Sequence, residues 1–171
     1  RLRLVEWCAR AALKAGSAAN RIGGKKTMYR FTKIIKKLAP SFPQWTEQII
    51  SPPRLKVLKS DSIVPGSRHT VVYFPACISR LLGASPAGKK NIMETFMEVS
   101  ASCGVSVRII HNHSGTCCGQ IFSSKGFSAA YRLTANKIIV QLWTSTEEAK
   151  YPVVMDVSSC AYTFHHLRPA L

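Results

Sequence analysis

Residues 69–77 read HTVVYFPAC: a polar lead-in, an apolar run of β-branched and aromatic residues, a proline that ends the run and a cysteine just beyond it. Such residues suit a pleated, buried surface, and proline cannot continue a ladder of backbone hydrogen bonds, so the stretch predicts a strand ending at Pro75. The same plan recurs downstream. VSVRII at 105–110 is followed by Cys117 and Cys118, and YPVVMDV at 151–157 is followed by Cys160. Between the first two runs, helical spacing from about 85 to 103 places Ile92, Met93, Phe96, Met97 and Ala101 inward, with Gly104 as the stop. Between the second pair, a helix is expected over about 128–149, with Ala129, Leu133, Ile138, Ile139, Leu142 and Trp143 as its apolar side. A strand–helix alternation of this kind predicts an α/β fold: a three- or four-stranded, mainly parallel sheet with flanking helices. The nearly uninterrupted apolar runs fit strands covered on both faces.

Ahead of this unit, residues 1–69 read as a basic helical arm or connector, with 70–171 as the cysteine-rich domain. Residues 1–70 hold fifteen Lys+Arg against three Asp+Glu, which is +12 of the chain's +16. Such a surface could track nucleic-acid phosphate, an anionic membrane or an acidic partner, or simply be a solvated face. In residues 2–15, Leu4, Val5, Trp7, Cys8, Ala11, Ala12 and Ala15 fall at helical spacing, and Gly16 is placed to end the helix. A second helix is expected before Pro40, with Met28, Phe31, Ile34, Ile35 and Leu38 on one face and Arg30, Lys33, Lys36 and Lys37 largely on another. A third short helix is expected in WTEQII, residues 45–50. No secretory signal or membrane-length apolar run is visible, so a cytoplasmic protein is expected, with peripheral contact to the inner membrane face as an option for the arm.

In a parallel sheet the carboxyl ends of the strands share one edge, where such folds bind ligands. Cys77, the Cys117-Cys118 pair and Cys160 are therefore expected to converge, although 39 and 41 residues separate them. Adjacent cysteines seldom bond to each other, but both can face a metal centre. Cys8 and Cys103, among apolar helix positions, are expected to pack as small hydrophobes. A framework of disulfides fits less well, since the chain is long enough to form its own core.

The segments VVYFPACISRLLG, GTCCGQIFSSKGF and VVMDVSSCAYTF resemble the cysteine-rich CCG domain of the heterodisulfide reductase B subunit, the glycolate oxidase iron-sulfur subunit and FAD-linked D-lactate dehydrogenases, above all the last. The likeness covers about residues 70–168. It implies an iron-sulfur electron-transfer module, with Cys77, Cys117, Cys118 and Cys160 as ligands, inside an oxidoreductase that takes electrons from D-lactate or another 2-hydroxy acid at a flavin. Implied partners are the FAD-binding and ferredoxin-type domains of a larger enzyme, a second CCG copy, and a quinone or other acceptor. The chain has no ferredoxin cysteine run and no flavin-binding segment, so it is expected to be a fragment holding the first copy and to lack dehydrogenase activity alone. Val157 stands three residues before Cys160, where the heterodisulfide reductase pattern has a C-x-x-C pair. That leaves four cysteines, a departure from the ligand set of that relative's noncubane cluster.

Four thiolates suit structural zinc equally well in number, and zinc is the alternative cofactor. Gly119 would let backbone approach a cluster closely, and Gln120, Ser123, Ser124 and Lys125 could favour an anionic cluster or carboxylate, or serve as ordinary helix caps. His111 and His113, and less so His165 and His166, could complete a ligand set or face solvent. Asp156 could orient the Cys160 loop by accepting amide hydrogen bonds, and Arg80 could offset cluster charge or cap a helix. No nucleophile–base constellation points to hydrolysis. The rival reading is a zinc-stabilised binding module whose arm contacts nucleic acid or an anionic surface. Nucleic acid is not expected, since no aromatic-basic motif or close cysteine knuckle is present.

Overall fold

The computed structural model describes residues 2–83 and 89–166. Among the described residues three strands form one all-parallel sheet: β1 (His69–Phe74) lies in the centre, β2 (Val105–Ile109) on one side and β3 (Val153–Met155) on the other. Val71 sits opposite Val107, and Tyr73 is opposite both Ile109 and Val154. The sequence expectation of an α/β fold with a mainly parallel sheet holds, with three strands and helices on both faces.

Strand alternation divides the core in two. Val72 and Phe74 point to one face and pack with Ile110, Ile138, Cys118 and Cys160. Tyr73, Val107 and Ile109 point to the other and pack with Leu58, Met93 and Met97. Helix α4 (Ile92–Ser102) covers that second face. It begins with a capping box in which the Asn91 side chain accepts from the Glu94 amide while the Glu94 carboxylate accepts from the Asn91 amide, both at 3.0 Å. The outer edge of β2 is closed by the preceding segment: Ser62 and Val107 exchange two backbone hydrogen bonds of 2.8 Å, and Asp61 accepts from the Ile109 amide. The part of the expected helix at 84–88 lies outside the described residues.

Helix α6 (Ser128–Ser145) covers the first face, but not with the side the sequence suggests. It buries Thr134, Ala135, Ile138 and Ser145, while Leu133 is 75% exposed and Ile139 and Trp143 also face water. Its apolar residues are spread round the whole helix, so their spacing cannot select one face.

The N-terminal helices depart further. α1 runs from Leu2 to Gly23, straight through Gly16. A Cβ at Gly16 would lie 2.5 Å from the Trp45 ring, so this glycine is a contact site for the indole and not a stop. α2 (Thr27–Leu38) folds back on α1, with Thr32 buried; the Thr32 hydroxyl accepts from the Trp45 amide at 3.0 Å. The expected helix at WTEQII is absent: these residues form turns that seat Trp45 between the two helices. In α1 the expected apolar stripe faces outward, and in α2 most of it does, with Met28 and Ile35 half-buried. Leu4, Val5, Phe31 and Ile34 are exposed, Trp7 is 68% and Leu38 86% exposed, and the buried residues of α1 are Glu6 and Gly16.

Candidate functional site

Each strand hands the chain to a cysteine at the carboxyl edge of the sheet. Past β1, Pro75 and Ala76 lead into α3 (Cys77–Leu82), so Cys77 opens a helix. Past β2, the 110–116 loop leads to Cys117 and Cys118, then to the four-residue α5 (Gln120–Ser123). Past β3, Cys160 lies in the first turn of α7 (Ser158–His165). Strand order 2-1-3 reverses direction between β1 and β3, the place where open α/β sheets hold ligands.

The four sulfurs meet as two pairs that the Cys117-Cys118 peptide joins into a row. Cys77 Sγ is 3.8 Å from Cys117 Sγ, and Cys160 Sγ is 3.1 Å from Cys118 Sγ. All four are free thiols; Cys118 and Cys160 are buried and Cys77 and Cys117 are half-buried. Crowding and burial raise three of the thiols. The Cys77 thiol is pushed well above its usual range by its contact with Cys117, then by burial. Cys117 is raised chiefly by Cys118, with Cys77 pulling the other way. At Cys118 the contact with Cys117 lowers the value, but Cys160 and burial outweigh it and leave the thiol at about 11. Sulfurs at these separations would repel each other as thiolates, and a bound cation offsets that repulsion.

The backbone at the pair is shaped for close approach. Gly119 has φ 86°, its amide points at Cys117 Sγ from 3.4 Å, and a Cβ there would come within 3.0 Å of the Tyr131 ring. Gln120 accepts from the Thr163 hydroxyl and so ties α5 to α7. The Ser124 hydroxyl donates to Ile121 O at 3.3 Å; Ser123, which ends α5, and Ser124 and Lys125 just beyond it are exposed.

Asp156 braces a different loop from the expected one. Its carboxylate accepts from the Ala76 amide at 2.9 Å and from the Tyr73 hydroxyl at 2.8 Å, fixing the turn before Cys77 rather than the Cys160 loop. Burial, and then the Asp156 charge, drive the Tyr73 phenol far above its ordinary range.

Arg80 is fully buried, and its charge is committed to Glu6. Nε and Nη2 each lie 3.0 Å from a Glu6 oxygen, a two-point pair between α3 and α1. The same guanidinium donates to Pro75 O at 2.6 Å, two residues before Cys77, and to Thr116 O at 2.7 Å, directly before Cys117. Glu6 also accepts from the Gly115 amide at 2.6 Å. Burial raises the Glu6 carboxyl, but Arg80, the Gly115 amide and Arg10 together bring it below its usual 4.5. One ion pair thus binds α1 to both half-buried cysteine loops. The sequence does not single out Glu6. Its only trace there is a lone acid in an otherwise basic and apolar helix, 74 residues from its partner.

The remaining residues singled out from the sequence lie apart from the sulfur row. His113 is half-buried, and burial followed by the Arg80 charge lowers its pKa. His111 is exposed, and its amide donates to Ser145 Oγ. His165 and His166 stack against each other, with His166 also against Tyr162. Cys8 and Cys103, expected to be packed, are exposed. Among the described residues no group of three or more His, Cys, Asp or Glu side chains is placed to hold a metal ion; the sulfurs meet as two pairs. Among them, too, no helix is long and apolar enough to cross a membrane. No protein-family model, curated protein or solved structure matches the chain.

Proposed function

We propose that the sulfur row is a thiolate-bound metal centre and that the chain serves as an iron-sulfur electron-transfer module, with Cys77, Cys117, Cys118 and Cys160 as ligands. The observation that carries this reading is the meeting of four thiols from three strand ends. The donor set fits such a centre in softness and number. When bound, the centre would supply a one-electron relay with a potential set by burial and by hydrogen bonds to sulfur. The protein's own part is positional. Gly119 turns its amide to Cys117, Asp156 fixes the turn before Cys77, and Arg80 holds both carbonyls that precede the half-buried cysteines. On the resemblance of the CCG segments, the donor is a flavin reduced by D-lactate or another 2-hydroxy acid on a separate domain.

A second reading rests on spacing. Tetrahedral zinc with Zn–S near 2.3 Å places its sulfurs about 3.8 Å apart; the Cys77–Cys117 separation is 3.8 Å, and the Cys118–Cys160 pair, at 3.1 Å, would have to open to match it. Anaerobic purification followed by iron, acid-labile sulfide and zinc analysis separates the two. Iron and sulfide in comparable amounts, with broad visible absorption lost in Cys117→Ser and retained in Cys8→Ser, are expected. Stoichiometric zinc alone would move the site to a structural role. Neither metal, with every thiol free to react, would sink the metal-centre reading.

A further inference from the structure

The exposed sides of α1 and α2 combine two features, one apolar and one of charge. The first is apolar. Along α1, Leu4, Cys8, Ala11, Ala15 and Ile22 fall on one exposed line, with Ile22 at 90% exposure, and Trp7 stands beside it. On α2, Phe31, Ile34 and Leu38 recur at i, i+3 and i+7, all exposed. At 1.5 Å per residue the α1 line is roughly 30 Å long. The inward side of α1 is taken by Glu6, Arg10 and Gly16, so the apolar side cannot turn to the core without breaking the Glu6–Arg80 pair and the Gly16–Trp45 contact.

The second feature is charge. Lys14, Arg21, Lys25, Lys26, Arg30, Lys33, Lys36 and Lys37 are exposed on the hairpin, whereas its single acid, Glu6, is buried against Arg80. Every exposed charge on residues 2–38 is therefore positive. Exposed aliphatic and aromatic side chains bordered only by Lys and Arg match a surface with an anionic outer layer and an apolar layer beneath it. Nucleic-acid phosphate would engage the cations and leave the leucine and isoleucine line in water.

We propose that the α1–α2 hairpin docks on an anionic lipid surface, lying in the interface with Leu4, Trp7, Phe31, Ile34 and Leu38 toward the acyl chains and the lysines at the headgroups. The proposal is independent of what the sulfur row holds. It is tested by co-sedimentation of the full chain with vesicles of phosphatidylcholine alone and of phosphatidylcholine mixed with phosphatidylglycerol. Binding only to the mixed vesicles, and its loss in high salt, is expected. The double variant Phe31→Ser/Ile34→Ser should weaken it by roughly tenfold or more, and Lys33→Gln/Lys37→Gln should weaken it while reducing the salt dependence. Should either variant fail to fold, Trp7 in a Trp143→Phe background gives a second readout: quenching by brominated acyl chains in mixed vesicles is expected. Equal binding to both vesicle types, no binding to either, or variants that bind as wild type would overturn the proposal. So would a stable dimer that buries Trp7 without lipid, or binding to a DNA duplex that competes with vesicles and is indifferent to Phe31→Ser/Ile34→Ser.

Discussion

Helices α4 and α1 are both amphipathic and solve opposite problems. α4 turns Met93 and Met97 onto the sheet and leaves Glu98 to water, as the transfer of apolar area predicts. α1 turns Glu6, Arg10 and Gly16 inward and leaves Leu4, Val5 and Trp7 outside. Apolar spacing therefore identifies a face without saying which neighbour it serves. For α1 the rotation is set by two specific contacts, a buried ion pair and a glycine under an indole. Each is directional and costly to break, whereas the outward apolar stripe gives up only area that another surface can recover.

The sharpest way to break this contrast is to remove Arg80. Losing one partner of a buried pair strands the other and typically costs about 3–5 kcal/mol, a large share of the roughly 5–15 kcal/mol that holds a domain folded. Arg80→Met also frees the carbonyls of Pro75 and Thr116 beside the cysteines. Urea denaturation should show that loss, and the double variant Glu6→Gln/Arg80→Met should recover a substantial part of it. The same pair predicts an acid limb. The Glu6 carboxyl sits below its usual 4.5 in the folded state, so its stabilisation is complete above that value. It is lost as pH falls through the lower folded value, and the limb should be blunted in Glu6→Gln. A single Arg80→Met variant as stable as wild type, with an unchanged acid limb, would dissolve the account of α1.

Next in size is the glycine contact. Gly16→Val places a branched side chain where a Cβ alone would lie 2.5 Å from the Trp45 ring. Displacing the buried indole should cost about 1–3 kcal/mol. The neighbouring Ala15→Val, on the exposed side, should change stability by less than about 0.5 kcal/mol. Equal effects at the two positions would mean that α1 turns a different face to Trp45.

These contacts also mark where the sequence could be read and where it could not. β1 and β2 are legible because short β-branched runs are bounded by proline, glycine or charged loops, and in a parallel sheet that pattern also places the cysteines on one edge. Met93 and Met97 are legible for the same reason: their neighbours are regular elements. Glu6 and Arg80 are not, because nothing local distinguishes an arginine in CISRLL that will be buried from one that will face water. Asp156 is visible as a brace, but which loop it braces depends on the turn at Ala76, set by β1 lying beside β3. Gly16 reads as a helix stop until Trp45, far along the chain, occupies the space above it. In α6 the apolar residues surround the helix, and the buried set is decided by small and hydroxyl side chains that fit close to the sheet. The site's sulfurs are thus legible from topology, while the polar residues that position them depend on tertiary contacts with no short-range signature.

The smallest expected effect separates stability from surface chemistry. Trp7 is largely exposed, so Trp7→Ser should leave the denaturation midpoint of the isolated chain within the roughly 0.5 kcal/mol range of surface substitutions. For an indole that would be an unusual indifference, since a buried tryptophan truncated to a small residue typically costs about 3–5 kcal/mol. Thermal melts of wild type and Trp7→Ser without lipid measure it directly. Coincident melts mean that the stripe contributes nothing to folding and is available to an external surface; a large drop would place Trp7 against part of the chain itself and close the outward face of α1.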